Sequence, residues 1–275
     1  MDSVQVARAH IEESVPILEI RELSKSYSIA GGERPVLGGI TLDVFSGEFV
    51  CIVGPSGAGK TTLLRCIAGL LAPSGGAVLL EGQPVNEPPA KLAVVFQDYS
   101  RSLMPWMSVT QNVALPLRSK GYGKREQATR SKDALAAVGL TAAATQYPWQ
   151  LSGGMQQRVA IARALAYEPE ALIMDEPFAS VDAQTRSDLE DLILSVRDKL
   201  GVTVLLVTHD IDESVYLADR VIVISGSPTR VREEIVVDLP SPRDQVSTKL
   251  LPRFSELRAH VMTLIREDRA HRLSD

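Results

Sequence analysis

The stretch GPSGAGKT, from Gly54 to Thr61, decides the fold class of this chain. It fits the pattern G-x-x-x-x-G-K-[ST] at every position. The continuous apolar stretch FVCIV precedes it, and TTLLRCIAGLL, with leucines at helical spacing, follows it. A glycine loop between a buried strand and a helix is the setting of a phosphate-binding loop. The sequence therefore predicts a nucleotide site on an α/β fold.

The residues of this loop have separate tasks in phosphate binding. Glycines let the backbone turn so that its N–H groups face a phosphate, and the N-terminus of the following helix adds positive potential. Lys60 reaches the β- and γ-phosphates, and the Thr61 hydroxyl is a ligand for Mg²⁺. A glycine turn with an incidental Lys-Thr pair is the alternative. The predicted nucleotide-binding residues here are Gly54, Pro55, Ser56, Gly57, Ala58, Gly59, Lys60, Thr61 and Thr62.

Two adjacent acids follow the apolar stretch ALIM, in ALIMDEP. Asp175, at the carboxyl end of a predicted buried strand, is placed to hold Mg²⁺ directly or through water. Glu176 is placed to act on the water that attacks the γ-phosphate. In isolation an Asp-Glu pair is as well explained by a solvated strand end or a helix cap.

A second glycine motif, LSGGMQQR, runs from Leu151 to Arg158. The residues after it suit a packed helix, so Ser152, Gly153 and Gly154 lie at a helix N-terminus that forms a second anion site. A plain serine N-cap with permissive glycines is the alternative. One nucleotide site has no evident need for two such turns in a single chain.

The remaining segments predict how the chain is organised. Short antiparallel strands are expected from Ile17 to Phe49, and three helices between Gln97 and Ala166. ALIMDEP and VTVLLVTHD predict buried parallel strands. A helix is expected after Pro252, with Phe254, Leu257, Val261, Leu264 and Ile265 on one stripe.

Together these segments predict an α/β fold with a P-loop NTPase (RecA-like) core. Its sheet is mainly parallel, with an antiparallel β subdomain and a helical subdomain at about 98–166. The predicted domains are a flexible N-terminus (1–16), the ATPase domain (17–239) and a helical C-terminal tail (240–275).

Composition narrows the range of partners. The 275 residues carry a net charge of −5 and a pI near 5.5, which disfavours a nucleic-acid binder. No apolar run is long enough to span a bilayer, so work at a membrane needs a partner that supplies the spanning helices. Cys51 and Cys66 lie in apolar surroundings, and we expect buried, reduced thiols there rather than a disulfide or a metal pair.

These motifs, in this order, resemble the ATP-binding subunits of ABC transporters. Besides the phosphate loop, LSGGMQQR and LIMDEP, the chain has the family's glutamine loop at Gln97 (VVFQD), SVDA with Asp182, and a switch histidine at His209 (VTHD). The resemblance implies a head-to-tail homodimer that hydrolyses ATP to ADP and phosphate with Mg²⁺. In that dimer each ATP lies between the phosphate loop of one subunit and the LSGG helix of the other.

The resemblance also implies roles for single residues. His209 would contact the γ-phosphate, Gln97 would link metal and water to the helical region, and Asp182 would lie at the dimer seam. Tyr27, in SKSYSIA, would stack on adenine, although a half-exposed strand tyrosine is a serious alternative. The family most often has Gln where this chain has Met155, so Ser152 and the backbone would carry the phosphate contact.

A membrane partner is implied as well. In the family a permease inserts a short helix beyond the glutamine loop, where this chain has the apolar run from Leu103 to Met107. Trp106 in that run either faces the permease or belongs to the core.

The resemblance is strongest to ATPases of nitrate, sulfonate and taurine import. It therefore implies an energy-coupling subunit at the cytoplasmic face of a bacterial inner membrane, served by an extracytoplasmic solute-binding protein. The alternatives are an exporter, a membrane-independent ATPase of DNA repair or chromosome maintenance, and a small-molecule kinase. The last two are disfavoured, because no heptad run separates Lys60 from Asp175 and because a kinase has no use for LSGG or His209.

Overall fold

The computed structural model describes residues 15–98 and 102–274 of the chain. Nearly all of the predicted flexible N-terminus, residues 1–16, lies outside the described residues. The described chain forms two compact units, a first unit of residues 15–89 and 203–274 and a second unit of residues 90–98 and 102–202. The domain boundaries given above stay predictions. Among the described residues, no helix combines the length and apolar character that crossing a membrane requires.

Strands and helices are interspersed along the chain, as expected for a protein that contains both. The strands are β1 (Pro16–Ile29), β2 (Gly32–Phe45), β3 (Phe49–Val53), β4 (Gly75–Leu80), β5 (Gln83–Pro84), β6 (Leu92–Val95), β7 (Ala171–Asp175), β8 (Thr203–Thr208), β9 (Arg220–Gly226) and β10 (Thr229–Val236). The helices are α1 (Lys60–Ile67), α2 (Val109–Ser119), α3 (Lys124–Ala137), α4 (Gly153–Ala166), α5 (Ala183–Leu200), α6 (Ile211–Leu217) and α7 (Pro252–Ser274).

In the first unit, eight strands form a sheet in the order β5-β4-β1-β2-β10-β9-β3-β8. Strands β9, β3 and β8 are parallel, and every residue of β3 and β8 is buried, as their unbroken apolar sequences predict. Strands β5, β4, β1 and β2 are antiparallel. The predicted combination of a parallel core with an antiparallel part is therefore confirmed.

The expectation of short strands between Ile17 and Phe49 is wrong. Strands β1 and β2 each run for 14 residues, and Gly39 lies inside β2 instead of ending a strand. The register shifts here from the pair Leu23–Ile40 to the pair Ser24–Gly38, and Gly39 has a φ of 78°. A β-bulge of this kind absorbs an extra residue without ending the pairing, so Gly38 and Gly39 bend β2 and do not divide it.

In the second unit, β6 and β7 pair in parallel, and the three helices expected from the sequence are present as α2, α3 and α4. Side chains cap the N-termini of several helices in both units, which explains where these helices begin. The capping residues are Ser108 for α2, Ser152 for α4, Asp182 for α5 and Asp210 for α6.

The C-terminal tail ends in α7, which packs against α6 and β9 of its own unit. Its buried apolar residues include Phe254, Leu257, Val261 and Leu264, four of the five in the expected apolar stripe, whereas Ile265 is half-buried.

Candidate functional site

Two neighbouring strand ends of the first unit, those of β3 and β8, carry predicted phosphate-binding elements. In the parallel register, Val53 of β3 pairs with Thr208 of β8 and with Val223 of β9. The phosphate loop begins at Gly54, one residue beyond β3, and His209 lies one residue beyond β8. Ligands bind outside the carboxyl ends of parallel strands, and this edge therefore brings the loop and His209 to adjacent positions.

The phosphate loop is packed closely against this sheet. A Cβ at Gly54 would lie 2.6 Å from the backbone oxygen of Ile224, and a Cβ at Gly59 would lie 2.7 Å from Cγ1 of Val36. Gly57 and Gly59 adopt φ values of 78° and 73°, in the left-handed region that favours glycine. The glycines of the motif are therefore required by backbone conformation at two positions and by close packing at two.

The N-terminus of α1 differs from the capped helices. Its N-cap is Gly59, which has no side chain to accept a hydrogen bond from the first turn. The first N–H groups of a helix need a partner from outside it, and an anion is a suitable one. This observation fits a bound phosphate at the start of α1.

Three predicted nucleotide-binding side chains lie around the loop. The Lys60 ammonium is buried and donates to the backbone oxygens of Gly54 (2.8 Å) and Pro55 (3.2 Å). The hydroxyl groups of Tyr27 and Thr62 are 3.4 Å apart, which places the tyrosine beside the first turn of α1. The ring of Tyr27 remains partly exposed, as an adenine platform requires.

The predicted catalytic residues of the second unit meet at a second strand edge. Val95 of β6 pairs with Met174 of β7, and Gln97 and Glu176 each follow two residues later. Nε2 of Gln97 donates to a carboxylate oxygen of Glu176 at 3.4 Å. Asp175, the last residue of β7, is buried. The parallel register therefore explains why residues so far apart in sequence are in contact.

The backbone of Glu176 is unusual for a residue with a side chain. Its φ is 43°, in the left-handed region. Such a conformation costs on the order of 1–2 kcal/mol and persists at functional sites where the surroundings impose it. At Glu176 the backbone therefore turns away from the direction of the buried strand β7, which ends at Asp175.

The LSGG motif forms the start of α4, as predicted. Oγ of Ser152 accepts a hydrogen bond from the backbone N–H of Met155 at 3.3 Å, while Ser152 and Gly153 are exposed. Gly154 is not free to vary, because a Cβ there would lie 2.3 Å from Cγ2 of Thr185. The motif is thus an exposed helix N-terminus whose fourth residue, Gly154, is held against α5.

Asp182, in the SVDA motif, forms hydrogen bonds with the same threonine, Thr185. Its carboxylate accepts from the Thr185 backbone N–H at 3.0 Å and from the Thr185 hydroxyl at 2.7 Å. These bonds, the backbone one first, lower the pKa of Asp182 below its ordinary value. The cap is therefore fully formed above the ordinary pKa of aspartate and is lost only as pH falls through the lowered value.

Sequence reasoning missed two residues that shape these motifs. Thr185 joins Gly154 to Asp182, and the spacing D-x-x-T at a helix start was the available signal. Ile224 forms a wall against Gly54, and no local pattern indicates it, since β9 is remote from the loop in sequence.

The apolar run beyond Gln97 forms a rigid, partly exposed loop in the second unit. Leu103 is buried, whereas Trp106 is 70% exposed, so the alternative that Trp106 belongs to the core is wrong. The buried Asn112 amide holds this loop, accepting from the Met104 N–H at 2.7 Å and donating to the Met107 oxygen at 3.0 Å. The structure therefore presents a large apolar side chain to solvent from a fixed backbone.

Three curated relatives resemble this chain over most of its length. It is 40% identical over 254 residues to the nitrate import ATP-binding protein NrtD of Synechocystis, with 90% of this chain and 95% of the relative covered. The bicarbonate transport ATP-binding protein CmpD of Synechococcus elongatus is 40% identical over 259 residues, covering 93% and 92%. The taurine import ATP-binding protein TauB of Pseudomonas entomophila is 41% identical over 253 residues, covering 90% and 96%.

The fold has solved counterparts. One is the structure of a dimeric ATP-binding cassette in a post-hydrolysis state, bound to ADP and phosphate. This chain superposes on it with a TM-score of 0.70 at 32% sequence identity, and the match covers 80% of this chain and 98% of the other. Residues 37–179 match the ABC transporter family. The chain thus belongs to the ABC transporter family and is one of its ATP-hydrolysing, ATP-binding subunits.

Proposed function

We propose that this chain powers the import of a small solute carrying an oxyanion group, as a head-to-tail homodimer bound to a permease at the cytoplasmic face of a bacterial membrane. The contact between Gln97 and Glu176, at the ends of two paired parallel strands, is the observation that carries the hydrolytic part of this proposal. The identities to nitrate, bicarbonate and taurine transport proteins support the importer assignment.

ATP is bound by the first unit in this proposal. The backbone of Gly54–Thr62 and the N-terminus of α1 hold the phosphates, with Lys60 between the β- and γ-phosphates. Tyr27 stacks on the base, which contributes about 0.5–1.5 kcal/mol to binding. Because every base has a π-face, this stacking does not select adenine over other bases. The left-handed glycines and the uncapped α1 support this placement.

Mg²⁺ would be held by oxygen atoms of Thr61, Asp175 and Gln97. A hydroxyl, a carboxylate and an amide oxygen form the kind of hard donor set that this cation prefers. When bound, the ion neutralises charge on the transferred phosphoryl group.

Three residues of the chain act on the reaction. Glu176 accepts a proton from the attacking water, or orients that water, from the left-handed turn after β7. Gln97 positions the Glu176 carboxylate through the 3.4 Å hydrogen bond, and His209, beyond β8, contacts the γ-phosphate. The proton leaves with the products, ADP and phosphate, so no acceptor other than water is required.

The LSGG helix serves the ATP of the partner subunit. Ser152 and Gly153, at the start of α4, are exposed, whereas the same subunit already has a complete phosphate loop. Asp182, with its carboxylate fixed by Thr185, lies at the seam of the dimer. ATP binding then favours the closed dimer and hydrolysis releases it. The dimeric, ADP-bound structure of the related cassette supports this arrangement.

The permease contacts the loop that carries Trp106. Exposed tryptophans on a rigid backbone are typical anchors of protein interfaces, because they bury a large area with little loss of conformational entropy. Asn112 supplies the rigidity here. The solute itself is selected by the permease and an extracytoplasmic binding protein.

One experiment separates this function from its alternatives. The full chain is reconstituted with its permease in liposomes, and phosphate release is measured with binding proteins loaded with nitrate, bicarbonate or taurine. We expect release without any added acceptor, and stimulation by one of the three loaded proteins from the outer side. Phosphate transfer that requires an acceptor molecule would indicate a kinase, and the absence of stimulation by any external ligand would contradict import.

A further inference from the structure

The short helix α6 connects His209 to the rest of the first unit. It begins at Asp210, one residue after His209, and spans only Ile211–Leu217. A helix of this length is not stable alone and takes its position from its surroundings. His209 lies between the buried strand β8 and α6, so whatever holds α6 fixes the position of His209 from one side.

The C-terminal tail holds the first turn of α6. The guanidinium of Arg258, on α7, forms an ion pair with Asp212. Arg258 is 52% exposed, so the pair alone contributes little to the stability of the protein. The position of the ion pair is nevertheless important for His209, because Asp212 lies only three residues after it in the chain.

The tail also holds the last turn of α6. The Arg243 side chain is only 6% exposed, and Nη1 donates to the backbone oxygen of Tyr216 at 2.6 Å. The Lys249 ammonium lies 4.7 Å from the centroid of the Tyr216 ring. Cations at a helix C-terminus satisfy its orphan carbonyls and interact favourably with the helix dipole.

Between these two points the contact is apolar. Phe254, Leu257 and Val261 of α7 are buried, and the helix packs against α6. All residues of α6 except Asp212 are buried as well. The tail thus contacts α6 at its start, along its side and at its end.

The tail helix is itself fixed to the sheet. A carboxylate oxygen of Asp268 accepts from the Gly226 N–H at 2.8 Å, and Arg232 Nη1 donates to the Leu264 oxygen at 2.7 Å. His260 contacts Glu233 at 2.7 Å. These bonds attach α7 to β9 and β10, so that the tail joins the sheet to a short helix.

We propose that Arg258 and Arg243 are positioning residues for His209. They hold the two ends of α6 so that the histidine beyond β8 keeps the place from which it contacts the γ-phosphate. This inference rests on the proposed role of His209, and it assigns to the tail a part in turnover that is separate from ATP binding.

The test is a mutant cycle on the purified full chain. We compare Arg258→Ala, Arg243→Met and their combination, each with and without His209→Ala, and measure kcat and KM for ATP. Arg258→Lys is the conservative variant. Arg253→Ala is the matched control, because Arg253 is 48% exposed on the same helix and forms an ion pair with Asp238 instead of α6.

The combined arginine variant should lower kcat by about three- to tenfold, while KM for ATP stays within about twofold. Arg258→Lys should recover most of the Arg258→Ala loss, and Arg253→Ala should leave kcat unchanged. In the His209→Ala background the arginine substitutions should cause no further loss of kcat. Because Arg258 is exposed, the fold should tolerate its replacement, and an unchanged melting temperature checks this.

Two results would overturn the inference alone. One is an unchanged kcat in the combined arginine variant, and the other is a loss of equal size with and without His209→Ala. Full turnover in His209→Ala alone would instead overturn the proposed role of His209, and this inference with it.

Discussion

Gly154 and Thr185 are in contact at the start of α4, so closely that a Cβ at position 154 would lie 2.3 Å from the threonine methyl carbon. The other atoms of the threonine side chain would be farther away, with Cβ at 3.7 Å and Oγ1 at 3.8 Å. The Thr185 hydroxyl is bonded to Asp182, so the side chain cannot rotate without breaking that bond. One methyl group therefore decides whether position 154 accepts a side chain.

Gly154→Ala should destabilise the protein by about 1–3 kcal/mol, as other overpacked sites do, and should lower ATP turnover. In the Thr185→Ser background, which removes the methyl group and keeps the hydroxyl, the same substitution should cost almost nothing, because alanine favours a helix more than glycine does. Thermal unfolding and phosphate release of the parent and the three variants measure both effects. Equal losses in the two backgrounds would show that the methyl contact is not the cause.

Glu176→Gln should reduce ATP turnover by about 10²–10⁴-fold, since an amide cannot accept a proton from water. ATP binding should persist, and an ATP-bound dimer should accumulate in gel filtration. Glu168→Gln is a suitable control, because Glu168 also has a left-handed backbone, with a φ of 50°, and lies before β7 instead of after it. If Glu176→Gln releases phosphate as fast as the parent, Glu176 does not act on the attacking water.

Tyr27→Ala should weaken ATP binding by roughly twofold to tenfold, the equivalent of about 0.5–1.5 kcal/mol of stacking. Tyr27→Phe keeps the ring and loses only the 3.4 Å contact with Thr62, so its affinity should stay near that of the parent. Fluorescent nucleotide titrations with adenine and guanine nucleotides should give the same ranking, because stacking is base-tolerant. If Tyr27→Ala binds ATP as tightly as the parent, the residue is an ordinary strand tyrosine.

Trp106→Ala should weaken association with the permease by about thirtyfold or more, because a single buried tryptophan anchor contributes roughly 2 kcal/mol or more. The melting temperature of the isolated chain should not change, since the side chain is exposed. Leu250→Ala, which removes an exposed apolar side chain from the tail, is the control. Co-purification with the permease distinguishes the two, and equal retention would place the permease contact elsewhere.

The sequence predicts the parts of this molecule that depend on neighbouring residues. The phosphate loop, the strand before it and the helix after it are contiguous, and so are the LSGG motif and its capping serine. Helix starts at Ser152 and Asp182 follow from side chains that accept hydrogen bonds from the next turn. Gln97 and Glu176 follow the ends of two parallel strands, and their contact follows from the register once β6 and β7 are paired.

Contacts across the fold were not predictable in this way. The closeness of Ile224 to Gly54 depends on the order of strands in the sheet, and that of Thr185 to Gly154 depends on how two helices pack. The exposure of Trp106 beside the buried Leu103 depends on a loop held by Asn112. None of these relations leaves a periodic pattern in the sequence.

The central claim is that each ATP is shared by two subunits, and complementation of two inactive variants tests it most directly. Lys60→Ala disables the phosphate loop, and Ser152→Phe blocks the start of α4. Each variant alone should hydrolyse ATP at a small fraction of the parent rate. A mixed dimer has one site in which both halves are intact, formed by the phosphate loop of the second variant and the α4 helix of the first.

We therefore expect phosphate release to rise on mixing the two purified variants, to a maximum when they are equimolar. Differently tagged subunits, isolated as a pair in the presence of ATP, verify that the mixed dimer forms. If such isolated mixed dimers remain as inactive as the separate variants, the two glycine motifs do not serve one shared ATP and the account is contradicted.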